Sequence, residues 1–489
     1  MDITSKTRTG TNAVKLTAAK VITLAIGMIS SMLLSRFRTL TEYGTYSQLL
    51  MVINLASSLF MLGLPNCINY FLGKAKSDEE RSQFLSVYYT LSTILSVIVG
   101  LILVLATPLL EMYFKNSLIK NFWYFLSVYP WTRVVMSSTE NLLIAYNKNN
   151  MLMLYKFLNS AALLGAILIV QLLNGTFNQY MVLFLAVEAV FSVWTYVFAK
   201  KNALSFKPSL NIELVKTIFV FSVPIGLASM IGTINIELDK LVITSFFSTE
   251  DLALFANASR ELPVTIISTS LTAVLMPQVV KLLHNDQKKE AVELWNSATT
   301  ISFAIICFVS MACLVFAPEV ITVLYSEKYI PGVDVFRVYS LVLLCRCTYF
   351  GMLLNATGKT RFILYSSIGT LVLNMILNYT CYRLFGFVGP AIATLAATAT
   401  MQLIQLVYTS KVVSVPFSKI FPWKNCGAYL IVNAFSALLI YVIKLVVLNH
   451  VQINNVVLAI ALGILWAAAY ASIIIRKIKK QWLVLNAER

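Results

Sequence analysis

Long uninterrupted apolar stretches, separated by short polar segments, dominate this chain. Two of them, 430–447 and 456–475, are close to the roughly 20 residues that a membrane-spanning helix needs. About fourteen such stretches can be placed. They cover residues 14–34, 46–66, 85–107, 118–146, 151–173, 178–199, 214–246, 252–281, 294–317, 333–356, 362–383, 387–410, 425–448 and 453–475. The pattern predicts an all-α polytopic membrane protein with about fourteen transmembrane helices.

The composition agrees with a bilayer as the main solvent. Hydrophobic residues make up 58% of the 489 residues and charged residues only 12%, against roughly 25% charged residues in ordinary soluble domains. The seven cysteines lie in or beside apolar runs without a CxxC pair, and the chain has only two histidines. We therefore expect small buried cysteines, with no metal site and no disulfide. Residues 1–12 lack the pattern of a cleavable leader and are predicted to remain as a polar tail.

The positive charge is distributed by membrane side. If the N-terminus is cytoplasmic, the segments on that side hold 26 of the 38 lysines and arginines, and the opposite segments hold 6. Positive residues favour the cytoplasmic side, so both termini are predicted to be cytoplasmic. The membrane orientation also explains the net charge of +17. The basic residues form no contiguous domain, so the charge does not indicate nucleic-acid binding.

Short motifs recur along the chain at a nearly constant spacing. Thr41-Glu42 returns as Thr249-Glu250, Pro65 as Pro277, and the turn from Lys148 to Tyr155 as the turn from Lys359 to Tyr365. The offsets are 208, 212, 211 and 210 residues. A parallel repeat of six helices follows, with lobes at 1–208 and 209–410 related by a pseudo-twofold axis along the membrane normal. Residues 411–489 form an appended pair, helices 13 and 14, and a basic tail.

Several segments match a known family in order and spacing. They are LLSRFRTLTEYGTYS at 33–47, LGLPNCINYF at 62–71, FSVPIGLASMIGTINIELDKLVI at 221–243, APEVITVLYSEKYIPG at 317–332, NATGKTRFILY at 355–365 and LNMILNYTCYRLFGFVGPAIATLAA at 373–397. With them the chain resembles the polysaccharide-exporter branch of the multidrug/oligosaccharidyl-lipid/polysaccharide (MOP) exporter superfamily, whose members include O-antigen (Wzx-type) flippases.

This resemblance implies a V-shaped pair of lobes that rock between inward-facing and outward-facing states. It also implies the cargo, an undecaprenyl-diphosphate-linked oligosaccharide repeat unit of the O-antigen or capsule type. That cargo would move from the cytoplasmic to the periplasmic leaflet of a bacterial inner membrane. Contact with the enzymes of polysaccharide assembly is a further implication of the resemblance.

Charged residues inside the predicted spans are the candidates for binding this cargo. A charge near the bilayer centre is costly, so it usually faces a cavity or a partner. The basic candidates are Arg133, Arg346, Arg260 and Lys240. The planar guanidinium suits phosphate oxygens, so the first two are the preferred contacts for a diphosphate. The alternative is that each arginine pairs with a buried carboxylate.

Acidic residues in the spans have two possible roles. Glu140, Glu188 and Asp239 could carry a proton or a sodium ion that couples transport to a gradient. They could instead pair with the arginines and hold helices together. Lys444 lies near the outer end of its span and is expected to extend to the lipid headgroups.

Enzyme signatures are absent from the sequence. The GKT at 358–360 lacks the phosphate-loop glycine, because Leu353 occupies that position, and neither HExxH nor GxSxG occurs. We therefore predict a transporter without an ATPase motif or a cofactor. A lipid II flippase and a multidrug exporter remain alternatives. A membrane-embedded polysaccharide polymerase or ligase is the enzyme alternative, although the longest outer loop, 318–332, is short for it.

Overall fold

The computed structural model describes residues 21–486 of the chain. Every regular element in this range is an α-helix or a 3₁₀ helix, and the range contains no strand. This confirms the all-α prediction. The predicted polar tail and the first seven residues of the first predicted span lie outside the described residues.

Twenty α-helices follow one another in the described range. They are α1 (Val21–Phe37), α2 (Leu40–Met61), α3 (Leu64–Lys74), α4 (Asp78–Leu105), α5 (Thr107–Phe114), α6 (Trp123–Ala145), α7 (Asn149–Leu172), α8 (Phe177–Lys201), α9 (Ile212–Phe246), α10 (Thr249–Ala258), α11 (Ile266–His284), α12 (Lys288–Val315), α13 (Ala317–Leu324), α14 (Val333–Cys345), α15 (Met352–Ala356), α16 (Thr360–Phe385), α17 (Gly389–Val413), α18 (Phe417–Ile420), α19 (Trp423–His450) and α20 (Asn455–Asn486). Short 3₁₀ helices cover Ser117–Phe122, Pro263–Thr265, Glu327–Gly332 and Gly386–Val388.

Many of these helices can cross a bilayer. In residues 21–486, nine helical segments are long and apolar enough to span, or up to ten if α2 and α3, bent by 41°, form one span. One of the nine, Thr360–Val413, contains both α16 and α17, which pack against each other. These segments confirm a polytopic membrane protein, while the number fourteen stays a prediction.

The first compact unit ends at Ala253. Its core lies between α3, α4, α6, α8 and α9, and the rings of Tyr88 and Tyr89 are at most 2% exposed there. At the bend between α2 and α3, Gly63 has a φ of +75°. A Cβ atom on Gly63 would lie 2.6 Å from the backbone nitrogen of Gly226 in α9. Only glycine permits this backbone conformation together with so close a crossing.

The second compact unit begins at Leu254 and is built around α12. The side chains of Trp295, Ile306 and Cys307 on this helix are at most 1% exposed, because α11, α14, α19 and α20 pack around it. Beyond its charged first turns, α12 is apolar on most sides, as expected for a helix at such a central position.

The order of elements repeats between the two units. Helix α4, helix α5, a 3₁₀ helix and helix α6 begin at residues 78, 107, 117 and 123, and α12, α13, a 3₁₀ helix and α14 begin at 288, 317, 327 and 333. Each start is displaced by 210 residues, which supports the predicted repeat. The predicted lobe boundaries at 208 and 410 stay predictions. Helix α9 follows the predicted boundary at 208, but it packs on α2 and α3 within the first compact unit.

Besides the bend at 62–63 inside the span predicted at 46–66, two further predicted spans are discontinuous in the structure. The span predicted at 252–281 is interrupted at 259–262, and the one at 333–356 is interrupted at 346–351. The hydropathy pattern indicated neither break, and the segment Thr249–His284 as a whole is still long and apolar enough to span. Hydropathy alone does not detect such a break, because its freed backbone groups are satisfied by side chains from other helices.

Candidate functional site

Charged and polar side chains of α6, α7 and α8 meet in the first unit. We call Arg133, Glu140, Lys156, Asn159 and Glu188 the α6–α8 polar cluster. Lys156 Nζ lies 2.5 Å from Glu140 Oε2, and the two side chains are 26% and 37% exposed. The amide of Asn159 donates to Glu188 Oε1 at 3.3 Å. Opposite charges on neighbouring helices thus balance most of the charge in the cluster.

Glu188 is the most deeply buried carboxylate of this cluster. It is 6% exposed, and its backbone carbonyl accepts a bond from the Ser192 hydroxyl at 2.8 Å. Arg133 lies near enough to interact with it electrostatically, but no ion pair within 4.0 Å joins them in the described residues. The direct hydrogen-bond partner of the Glu188 carboxylate is therefore the neutral amide of Asn159 and not a cation.

Arg133 differs from the other charged members of the cluster. It sits at the middle of α6 and is exposed. Between residues 21 and 486, no carboxylate lies within ion-pairing distance of its guanidinium. Its five N–H donors therefore remain available to an anion at the surface of this helix.

Three charges in the second half of α9 are already engaged. Lys240 Nζ lies 2.8 Å from Glu237 Oε2, one turn earlier. The amide of Asn54 on α2 donates to the other oxygen of Glu237 at 3.2 Å. Asp239 is 3% exposed and also has an interaction partner. Lys240 is thus held by a neighbouring carboxylate, in contrast to Arg133.

In the second unit, the two helix breaks meet. Arg346, at the end of α14, forms an ion pair of 2.5 Å with Glu261, between α10 and α11. The hydroxyl of Ser268 donates to the Arg346 carbonyl at 2.9 Å, and the amide of Gln402 donates to the Cys345 carbonyl at 2.5 Å. These bonds satisfy carbonyl groups that the end of α14 leaves without helical partners. Discontinuous helices of this kind are typical of transporter sites.

A small cavity opens at these breaks. Its volume is about 20 Å³, and Arg260, Glu261, Tyr339 and Arg346 contribute to its lining. This is enough for about one water molecule. Arg260 is exposed, and no carboxylate of the described range pairs with it. Arg346 therefore has a carboxylate partner, but Glu261 is 43% exposed and is not the buried carboxylate of the pairing alternative. Within residues 21–486, Arg133 and Arg260 form no ion pair.

Sequence reasoning missed two polar contacts. Lys156 lies in the predicted span 151–173 but was not among the charged candidates, and in the structure it lies on α7 and pairs with Glu140. Its spacing of three residues from Asn159 within an apolar helix was an available signal. The expectation for Lys444 was wrong, because it is buried and lies 2.7 Å from Glu319. No group of three or more metal-ligating side chains occurs among the described residues.

Comparison with known proteins identifies a family. The family described as "Polysaccharide biosynthesis protein" matches residues 33–334. The capsular polysaccharide biosynthesis protein CapF of Staphylococcus aureus is 22% identical over 236 residues, which cover 47% of this chain and 59% of CapF. The probable low-salt glycan biosynthesis flippase Agl15 of Haloferax volcanii is 22% identical over 214 residues, 43% of this chain and 45% of Agl15. The chain thus spans about half the length of these two relatives.

Solved structures share the fold. The lipid II flippase MurJ in an inward closed conformation superposes with a TM-score of 0.76 at 15% identity, covering 95% of this chain and 99% of MurJ. An inward-facing multidrug resistance MATE transporter of the MOP superfamily gives a TM-score of 0.65 at 16% identity, over 80% of this chain and 94% of that one. Together with the apolar helices, these matches show an integral membrane protein with the MOP transporter fold.

Proposed function

We propose, from the premise that this chain belongs to the polysaccharide biosynthesis protein family, that it is a flippase for a lipid-linked glycan. Its cargo is an undecaprenyl-diphosphate-linked oligosaccharide repeat unit, of the O-antigen or capsule type. Alternating access moves this cargo from the cytoplasmic to the periplasmic leaflet of a bacterial inner membrane, and both termini of the chain are cytoplasmic. No cofactor and no catalytic residue take part.

The observation that carries this proposal is the guanidinium of Arg133 at the middle of α6, which forms no ion pair within residues 21–486. A cation inside a predicted span that lacks a direct ion-pair partner is costly, and a bound anion offsets part of this cost. A diphosphate supplies oxygens in the geometry that the guanidinium fork binds. Arg260 at the break after α10 is a second contact of the same kind. Lys240 and Arg346 contribute less, since each already has a carboxylate partner.

Deletion of the gene, in a strain without a second copy of the function, tests the proposal. We expect surface polysaccharide to be lost and the undecaprenyl-linked repeat unit to accumulate on the inner leaflet. A membrane-impermeant label in right-side-out and inverted vesicles measures the accumulation. Normal surface polysaccharide in the deletion strain would refute the proposal.

Other phenotypes would favour the alternative functions. Arrest of peptidoglycan synthesis would indicate a lipid II flippase, and increased drug sensitivity with normal polysaccharide would indicate a multidrug exporter. A changed polymer length with normal translocation would indicate a polymerase or ligase.

We also propose Glu188 as the carboxylate that carries a coupling ion, because it is buried and its direct partner is the neutral amide of Asn159. Glu140 fits this role less well, since Lys156 neutralises it, and Asp239 is the remaining candidate. Glu188→Gln should abolish the acceleration of flipping by an imposed proton or sodium gradient in vesicles. Basal flipping without a gradient should persist, because the glutamine keeps the bond to the amide.

Glu213→Gln, at an exposed position near the start of α9, is the matched control and should leave the gradient response unchanged. Separate proton and sodium gradients identify the ion. A Glu188→Gln variant that still responds to both gradients as the wild type does would remove Glu188 from this role.

A further inference from the structure

Four helix ends of the second unit surround a large pocket. It lies between the start of α12, the end of α17, the start of α19 and the last turns of α20, and its volume is about 900 Å³. These ends belong to three segments that the positive charge assigns to the cytoplasmic side of the membrane, 281–293, 411–424 and 476–489. The pocket therefore lies at a predicted membrane boundary, separate from the α6–α8 polar cluster and from the helix breaks.

The charge of the pocket wall is strongly positive. Four lysines contribute to it, and the single acidic residue on the wall is Glu293. The lysines are Lys289, Lys419, Lys424 and Lys480. No carboxylate in residues 21–486 forms an ion pair with any of the four. Such a concentration of uncompensated charge attracts an anion.

A buried acceptor adds a second requirement. The Asn296 amide nitrogen donates to the Lys419 carbonyl at 3.1 Å, and this contact fixes the orientation of the amide, because a carbonyl can only accept. Asn296 Oδ1 is then buried with no hydrogen-bond partner in the described part of the chain. Asn296 contributes to the pocket wall, so a small adjustment of the wall would let a hydroxyl group of a ligand reach and satisfy this oxygen.

An aromatic group marks the level of the pocket in the bilayer. The indole of Trp423 donates to the Phe417 carbonyl at 3.1 Å, and its ring packs against Phe417 and Phe421 at centroid distances of 5.4 and 4.8 Å. Tryptophan in such a position is typical of the boundary between headgroups and acyl chains. A phosphate bound by the lysines would lie at the level of the lipid phosphates.

We propose that this pocket binds the headgroup of an anionic glycerophospholipid of the cytoplasmic leaflet. Lys419 and Lys424 hold the phosphate, and Asn296 accepts a hydroxyl group of the headgroup. Basic pockets between transmembrane helices on the cytoplasmic side bind anionic lipids in this way. Since α12, α19 and α20 all contribute to the wall, the bound lipid connects the appended helix pair to the central helix of the second unit.

The test uses the full chain, purified in detergent, and native mass spectrometry. Phosphatidylglycerol, phosphatidylcholine and inorganic phosphate are titrated separately. We expect phosphatidylglycerol to bind at least tenfold more tightly than phosphatidylcholine. The Lys419→Gln/Lys424→Gln variant should lose about thirtyfold of this affinity, since each lysine near an anionic lipid contributes about fivefold. Lys419→Arg/Lys424→Arg keeps both charges and should bind like the wild type.

Lys200→Gln/Lys201→Gln, which removes two lysines at the same predicted membrane side in the first unit, is the matched control and should bind normally. If the double glutamine variant does not fold, Lys480→Gln alone tests the site and should weaken binding several-fold. Equal binding of both lipids, or unchanged affinity in the glutamine variants, would overturn the proposal. Binding of inorganic phosphate as tightly as phosphatidylglycerol would show a site for free anions and would also overturn it.

Discussion

Arg133→Ala should reduce the output of surface polysaccharide by roughly tenfold to a hundredfold while the amount of protein in the membrane stays normal. The variant removes charge-assisted hydrogen bonds to the diphosphate, each worth about 1.5–3 kcal/mol, and tenfold corresponds to about 1.4 kcal/mol. Because Arg133 has no carboxylate partner in the described residues, its loss leaves no unpaired acid behind. Quantitative immunoblotting of membranes beside a polysaccharide assay measures both effects.

Two variants separate phosphate binding from a structural role. Arg133→Lys keeps the positive charge without the planar fork, so it should retain part of the activity. Arg346→Ala should cost less activity, because this arginine already has a carboxylate partner. It should also change the amount of folded protein little, because Arg346 and Glu261 are 44% and 43% exposed and exposed ion pairs contribute about 1 kcal/mol or less. Full activity of Arg133→Ala at normal abundance would show that this arginine does not bind the cargo. Arg260 would then be the predicted contact for the diphosphate.

Lys444→Ala should destabilise the second unit more than any other single change considered for this protein. Lys444 on α19 and Glu319 on α13 form an ion pair of 2.7 Å in which both side chains are 8% exposed. Removing one member of a buried pair costs about 3–5 kcal/mol, because the other charge stays buried. That is a large part of a typical stability of about 5–15 kcal/mol. Thermal unfolding in detergent and membrane abundance measure the loss.

The double variant Lys444→Met/Glu319→Leu is the critical comparison. It removes both charges and keeps most of the volume, so it should recover most of the stability lost in Lys444→Ala. Arg337→Ala is the matched control, since its partner Asp334 is 68% exposed and the pair lies at a surface. That control should change stability by less than about 1 kcal/mol. Equal losses of stability in Arg337→Ala and Lys444→Ala would contradict the stabilising role assigned to the buried pair.

Local sequence patterns were sufficient to predict the all-α membrane class and many of its long helices. Apolar runs are a property of contiguous residues, so α4 and α12 could be placed without knowing their neighbours. Their starts, at Asp78 and Lys288, keep the 210-residue displacement that the short motifs had indicated. The family, too, could be recognised from the order of segments along the chain.

The pairing of charges depended on how the helices pack. Lys444 and Glu319 are 125 residues apart and Arg346 and Glu261 are 85 apart, so no periodicity along one helix relates them. The break after Cys345 had the same origin, because its freed carbonyl groups accept hydrogen bonds from Ser268 and Gln402, which lie on other helices. Hydropathy therefore predicted which segments enter the membrane. Only the tertiary structure decided which charges inside it are neutralised and which, like Arg133, remain available to a ligand, since a charge is neutralised by the groups that lie near it in space.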